Sequence, residues 1–95
     1  MQYRRFGKTN LQLSVFSLGT MRCLDQSIFE ETFKQAIALG INHFETAKGY
    51  GKSEDYLGTS LKDLSIPREQ YYITTKLSPT ADPQQMTQWL DESLF

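Results

Sequence analysis

The sequence contains few cysteines and no pair of them. Its 95 residues include one cysteine, Cys23, so no disulfide can form within the chain. A single thiol is typical of a protein from a reducing compartment. We interpret Cys23 as a small, partly buried residue rather than a reactive site.

Long apolar runs and an excess of one charge are also missing. No stretch approaches the roughly 18 apolar residues that a membrane helix needs, and the first ten residues lack the apolar part of a secretory signal. Ten basic and eleven acidic residues give a net charge of −1, which offers no attraction to nucleic acid or to an anionic membrane. We therefore expect a cytoplasmic protein that binds neither.

The residues that are present form an alternation of extended and helical patterns. Residues 2–18 predict a β-hairpin that leads into a first core strand. Three helices follow, with predicted caps at Ser27, Ser53 and Asp82, and strands at 41–47 and 71–77 lie between them. The first helix is expected to end at Gly40 in a left-handed conformation.

The order of these elements predicts the fold class. Alternating strands and helices with short connections are typical of a parallel sheet covered by helices, so we expect an α/β protein. The third helix should turn Met86, Trp89 and Leu90 inward. Parallel strands need neighbours on both sides, and three strands leave an open edge of unpaired backbone groups. The sheet is therefore expected to be incomplete within this chain.

A glycine-rich loop connects the second core strand to the second helix. The run Gly-Lys-Ser at 51–53 is the end of a phosphate-binding loop, but Thr46 stands where that motif needs its first glycine. A dinucleotide fingerprint beginning at Gly49 would need its third glycine at Glu54. Neither nucleotide motif is complete.

Side chains at the strand ends offer a different chemistry. Period-two alternation places Glu45 and Lys76 at the carboxyl ends of neighbouring strands, with Tyr50 in the loop at the same edge. An ammonium beside a phenol favours the phenolate, and a carboxylate keeps the ammonium charged, so this group suits proton donation to a developing alkoxide. The spacing alone fits a structural ion pair with Tyr50 as a loop anchor equally well.

Several motifs in order resemble the aldo-keto reductase family. Phe-Glu-Thr-Ala at 44–47, Tyr-Gly at 50–51, Ser-Glu at 53–54 and Leu-Gly at 57–58 are similar to the family signature, which begins Phe-Asp-Thr-Ala-x-x-Tyr-Gly. Residues 3–21 resemble the family's N-terminal hairpin and first strand, and Ile-Thr-Thr-Lys at 73–76 resembles its third strand. The resemblance covers essentially all 95 residues.

The resemblance implies a fold and a catalytic group. The fold would be the N-terminal part of a (β/α)8 TIM barrel, with residues 1–95 supplying the hairpin and about the first three βα units of a barrel left incomplete. Tyr50 would be the general acid, Lys76 would tune its acidity, and Glu45 would pair with Lys76.

The resemblance also implies a cofactor and a substrate. The family moves a hydride from NADPH to an aldehyde or ketone, and Gly19, Thr20, Met21 and Glu45 would line the cofactor cleft. The family's binding loops for the adenosine phosphates belong to the later half of the barrel. We therefore expect the 95-residue chain alone to be inactive.

Two departures from the family pattern affect this interpretation. Glu45 replaces the family's aspartate, as in a branch that resembles reductases with a C-terminal iron–sulfur domain. An iron–sulfur cluster generally needs four ligands, and the single cysteine of this chain cannot hold one. Any such domain would therefore lie beyond residue 95. The family's active-site histidine belongs to the fourth strand. His43 is expected to be a packed strand residue below Glu45, and no metal site is predicted.

A non-catalytic interpretation stays open at this point. A partial barrel can dock onto a partner chain that completes it, or a barrel can serve as a binding or regulatory module. The β-subunits of potassium channels, which resemble the same family, act chiefly as partners.

Overall fold

The computed structural model describes residues 1–22, 25–79 and 82–94, so the interpretation of Cys23 lies outside the described residues. The strands are β1 (Tyr3–Arg5), β2 (Gln12–Ser14), β3 (Leu18–Gly19), β4 (His43–Glu45) and β5 (Tyr72–Thr74). The helices are α1 (Gln26–Ala38), α2 (Ser53–Asp63) and α3 (Pro83–Leu94), with a short 3₁₀ turn at Arg68–Gln70.

The strands form two separate sheets. β1 and β2 pair antiparallel as the expected hairpin, with Tyr3 opposite Ser14. The other three strands form a parallel sheet in the order β3–β4–β5, in which Gly19 is opposite Glu45 and Glu45 is opposite Thr74. The α/β class and the N-terminal hairpin are confirmed.

One apolar cluster joins α1 and α2 to the sheet. Its buried members are Phe29, Phe33, Ala36, Phe44, Leu57, Leu61 and Tyr71. The ring centroids of Phe33 and Phe44 lie 4.7 Å apart, which fixes α1 against the central strand. Because side chains alternate along a strand, burial of Phe44 turns His43 and Glu45 to the face of β4 away from the helices.

Two of the predicted helix caps are wrong. Asp25, not Ser27, caps α1: its Oδ1 atom accepts hydrogen bonds from the backbone N–H of Ser27 (2.9 Å) and of Ile28 (3.1 Å). Ser53 is fully buried as the first residue of α2 and makes no cap bond, because tertiary hydrogen bonds occupy its hydroxyl. The left-handed end of α1 is confirmed at Gly40, where φ is 88°.

The third helix packs less than its sequence predicts. Asp82 caps it as expected, accepting a hydrogen bond from the backbone N–H of Gln84 at 3.0 Å. No residue of α3 is buried, and Met86 and Leu90 are 36% and 47% exposed rather than turned into a core. A helix of a βα unit covers the groove between its own strand and the next one, and the parallel sheet described here ends at β5.

None of the helices in the described part of the chain is long and apolar enough to cross a membrane.

Candidate active site

The carboxyl edge of the parallel sheet brings three loops together. Backbone pairing continues past the strand ends: the N–H of Thr46 donates to the carbonyl of Thr74, and the N–H of Lys48 to that of Lys76, both at 2.8 Å. The N–H of Thr20 donates to the carbonyl of Glu45 at 3.1 Å. Residues that are 25 to 28 positions apart in sequence therefore share one edge.

The three side chains expected to carry the chemistry meet at this edge. Lys76 Nζ lies 2.8 Å from Glu45 Oε1 and 5.0 Å from the centroid of the Tyr50 ring. The Glu45 Oε1 atom is buried, and its contact with the Lys76 ammonium is an ion pair that lacks hydrogen-bond geometry. The structure thus places the Lys76 ammonium between the carboxylate of Glu45 and the phenol ring of Tyr50.

The electrostatics of the site keep the lysine charged. Glu45, and after it Tyr50, raise the pKa of Lys76 above its ordinary value, because both stabilise the ammonium. The lysine side chain remains 47% exposed, so a small molecule can reach it from solvent. A charged, reachable ammonium beside a phenol can stabilise the phenolate left by proton donation.

The residues expected to line a cofactor cleft divide into two kinds. Gly19 and Met21 are exposed at the end of β3, and Gly19 is opposite Glu45 in the sheet. The side chain of Thr20 is instead 1% exposed, and its hydroxyl donates to the carbonyl of Glu45 at 3.0 Å. Gly19 and Met21 leave surface for a ligand, whereas Thr20 holds β3 against β4.

A buried group of three hydroxyls lies beneath this edge. Ser53 Oγ is 2.5 Å from Thr20 Oγ1 and 2.8 Å from Thr46 Oγ1, and each residue is no more than 1% exposed. The group ties the ends of β3 and β4 to the start of α2. Thr46 and Ser53 belong to the motif seen in the sequence, but no sequence signal indicated that they meet Thr20.

A second polar cluster joins the loop of Tyr50 to β5 and α3. Lys48 Nζ lies 3.9 Å from Glu54 Oε1 and forms a short ion pair with Glu92. Glu54 Oε2 accepts hydrogen bonds from the hydroxyls of Thr75 (2.7 Å) and Ser93 (2.8 Å). Sequence analysis missed this cluster, although Glu54 stood in the recognised motif.

His43 lies one layer below the ion pair, on the sheet face away from the helices. Its Nδ1 atom is 2.7 Å from Ser17 Oγ, and its Nε2 atom is 2.8 Å from Thr74 Oγ1. These contacts bridge the three-strand sheet from side to side, in agreement with the expected packed strand histidine. Nowhere in residues 1–22, 25–79 and 82–94 do three or more His, Cys, Asp or Glu side chains form a group that can hold a metal ion.

Comparison with known proteins identifies the family. The family model described as "Aldo/keto reductase family" matches residues 16–94. The NADH-specific methylglyoxal reductase of Escherichia coli is 40% identical over 81 residues, covering 74% of this chain and 24% of the reductase. A Schizosaccharomyces pombe protein, provisionally named a voltage-gated potassium channel subunit beta, is 38% identical over 82 residues, covering 79% of this chain and 24% of its own length.

Solved structures agree with this similarity. The thermostable aldo-keto reductase Tm1743, solved with the inhibitor epalrestat, superposes with a TM-score of 0.83 at 28% identity, covering 99% of this chain and 38% of that structure. The chain therefore spans about a quarter of the length of the curated relatives and less than half of the solved barrel. The chain belongs to the aldo/keto reductase family of oxidoreductases, and it forms part of a (β/α)8 barrel.

Proposed function

We propose that this chain carries the proton-donating group of an NAD(P)H-dependent reductase that acts on an aldehyde or ketone. The observation that carries the proposal is the grouping of Glu45, Lys76 and Tyr50 at the carboxyl edge of the sheet. In this group Glu45 Oε1 lies 2.8 Å from Lys76 Nζ. In α/β barrels this edge is where active sites are built. Membership of the aldo/keto reductase family supports the same chemistry.

The proposed step moves one proton from Tyr50. As the carbonyl carbon gains a hydride, its oxygen gains negative charge and takes the phenolic proton of Tyr50, so an alcohol forms and a phenolate remains. The Lys76 ammonium, held by Glu45, stabilises that phenolate. Solvent returns the proton to Tyr50 for the next cycle.

A nicotinamide cofactor fits the open side of the same edge. A Cβ atom added at Gly19 would meet no atom within 4 Å, so the end of β3 leaves open space beside Glu45. Gly19, Met21 and the backbone of Thr20 would flank the nicotinamide near Glu45, and the bound cofactor would supply the hydride. We propose NADPH, with NADH as the alternative that the name of the Escherichia coli relative suggests.

The proposal also covers how much of the barrel this chain supplies. Residues 1–95 form the hairpin and about the first three βα units of one domain, and the 95-residue chain alone is inactive because it holds only part of the barrel. A cytoplasmic location belongs to the same proposal.

The test is Tyr50→Phe in the natural full-length protein, with NADPH or NADH oxidation followed against a panel of aldehydes and ketones. Loss of the proton donor lowers kcat by about 10²-fold or more, since a positioned general acid contributes about 10²–10⁴-fold. Tyr72→Phe, at another tyrosine of the neighbouring strand β5, is the matched control and retains activity. Full activity in Tyr50→Phe would disprove the assigned role.

A second candidate function is that of a non-catalytic partner. The observation that favours it is the similarity to the Schizosaccharomyces pombe protein, which is named as a channel subunit. A stable complex with a defined partner in the source cells, together with no carbonyl reduction by that complex, would support this function over the first.

A further inference from the structure

We propose that Glu54 is a positioning residue that fixes Lys76 relative to Tyr50. The inference rests on the proposed reductase function, in which these two side chains act as a pair. Glu54 itself contacts neither of them. It acts through Thr75, the residue next to Lys76, and through Lys48, two residues before Tyr50.

The contacts of Glu54 join both segments that carry the pair. Its Oε2 atom accepts the hydroxyl hydrogen bond of Thr75 at 2.7 Å, and its Oε1 atom lies 3.9 Å from Lys48 Nζ. The backbone of the same segments is joined once, by the bond from the Lys48 N–H to the Lys76 carbonyl at 2.8 Å. Glu54 therefore adds side-chain ties where the backbone pairing of the sheet comes to its end.

Glu54 is anchored in a helix that packs into the core. Glu54 lies in the first turn of α2, directly after the buried Ser53, and Leu57 one turn later belongs to the apolar core at 2% exposure. The Glu54 side chain is itself only 20% exposed. The Glu54 carboxylate therefore holds the two loops in a fixed position relative to the core. Catalytic side chains need such supporting contacts, because their chemistry depends on accurate placement.

The charge on Lys48 does not depend on Glu54 alone. Glu92, at the end of α3, is the largest cause of the raised pKa of Lys48, and Glu54 contributes less. Removing the Glu54 carboxylate therefore leaves Lys48 paired with Glu92. The part of the proposal that can be isolated by mutation is the hydrogen bond from Thr75.

The experiment compares Glu54→Ala, Thr75→Val, their double variant and Thr75→Ser in the natural full-length protein. Misplacement of Lys76 lowers kcat by about 10-fold or more, while the KM for the carbonyl and the Kd for NADPH, measured by fluorescence, stay within about twofold. The alkaline limb of the pH–rate profile also shifts in both single variants, because Lys76 loses part of the contacts with Glu45 and Tyr50 that raise its pKa. Thr75→Ser keeps the hydroxyl and restores the rate and the profile.

A coupling test and a control separate positioning from folding. If both residues act through one bond, the double variant is no worse than the more damaging single variant. Glu30→Gln removes a carboxylate from another lysine pair of 3.9 Å, in α1, and leaves kcat and the pH profile unchanged. A lower Tm with unchanged kcat and pH profile in Glu54→Ala, or full activity in Thr75→Val, would overturn the inference.

The proposed function fails separately. Absence of reductase activity in the unmutated protein, or full activity in Tyr50→Phe, would count against the reductase itself. Activity that depends on Tyr50 but not on Glu54 would count against the positioning role alone.

Discussion

Single side chains at the carboxyl edge of the sheet fall into two groups with different tasks. Lys76 and Glu45 keep part of their surface in solvent, where a substrate can reach them. Thr20, Thr46 and Ser53 are buried at the same edge and bond to one another. Because the buried hydroxyls hold the strand ends in place, the exposed charged pair can stay open to solvent without losing its geometry.

The pKa of Lys76 should depend on Glu45. Glu45 is the largest cause of the raised pKa of Lys76, so Glu45→Gln lowers that pKa toward its ordinary value. A raised lysine pKa stabilises the fold below the unfolded pKa of about 10.4, and this contribution disappears as the pH rises through the folded pKa. Because Lys76 is half exposed, solvent screening keeps the effect on stability small.

The measurement for Glu45→Gln is an NMR titration of isotope-labelled lysine side chains, with the Lys76 signal assigned from Lys76→Arg. The signal should titrate at lower pH in Glu45→Gln and stay unchanged in Glu30→Gln, whose carboxylate pairs with Lys34 in α1. An identical titration of Lys76 in Glu45→Gln would show that the ion pair has no influence on the lysine.

The buried hydroxyl group should contribute to stability. Ser53→Ala leaves the Thr46 hydroxyl without its bond of 2.8 Å in a site that water does not reach, whereas Thr20 keeps the carbonyl of Glu45. An unsatisfied buried polar group costs about 1–3 kcal/mol, so the free energy of unfolding falls by that amount in urea titration of the natural full-length protein. Thr59→Ala, at an exposed position of the same helix, changes it by less than about 0.5 kcal/mol. Equal stability of the two variants would contradict the prediction.

At the scale of secondary structure, the sequence pattern predicted the helices and strands better than it predicted the helix caps. The order of extended and helical patterns predicted the alternating strands and helices, and the left-handed end of α1 was predicted at Gly40, where the structure has it. Asp25 and Ser27 are both good caps, and the choice between them depends on how the preceding loop enters the helix. Sequence alone does not contain that geometry.

In the candidate site, too, some features were predicted from the sequence and others were not. The proximity of Tyr50, Lys76 and Glu45 was predicted because each lies at a strand end or in the loop that follows, and parallel strands bring such ends together. Their roles in a site were implied by the resemblance to the family. The bonds from Thr75 and Ser93 to Glu54 span 21 and 39 residues between loops and helix ends. Such contacts depend on the orientation of α2 and α3, for which the motif carries no signal.

The cap of α1 should make the stability of the natural full-length protein depend on acid pH. Hydrogen bonds from the Ser27 hydroxyl, and after it from the backbone N–H groups of Ile28 and Ser27, hold the pKa of Asp25 below its ordinary value. This contribution is present above the unfolded pKa of about 3.9 and is lost as the pH falls through the folded pKa. Asp25→Asn keeps an acceptor but cannot titrate.

The expected result for Asp25→Asn is a difference in unfolding free energy from the unmutated protein that shrinks as the pH is lowered below about 4. Urea titrations at several pH values would measure it. Ser27→Ala, which removes only the hydroxyl donor at 2.6 Å, should show part of the effect. A difference that is constant across this range would mean that the charge of Asp25 does not stabilise the helix.

At the scale of the whole molecule, the described structure leaves surfaces that a finished barrel covers. The three-strand sheet ends at β3 on one side and at β5 on the other, so backbone groups on both outer edges lack strand partners within the described residues. Leu90 and Leu94 of α3 are 47% and 69% exposed. Open strand edges and exposed leucines both favour association with other chains.

The 95-residue chain produced alone should therefore self-associate. Analytical ultracentrifugation should show species heavier than 11.0 kDa, and heating should give no sharp cooperative transition. The double variant Leu90→Glu and Leu94→Glu places like charges on the exposed face of α3 and reduces the heavier species. Leu39→Glu, at an equally exposed leucine after α1, is the matched control and leaves the distribution unchanged. A single species of 11.0 kDa that melts cooperatively would show instead that the hairpin and these βα units fold as an independent unit.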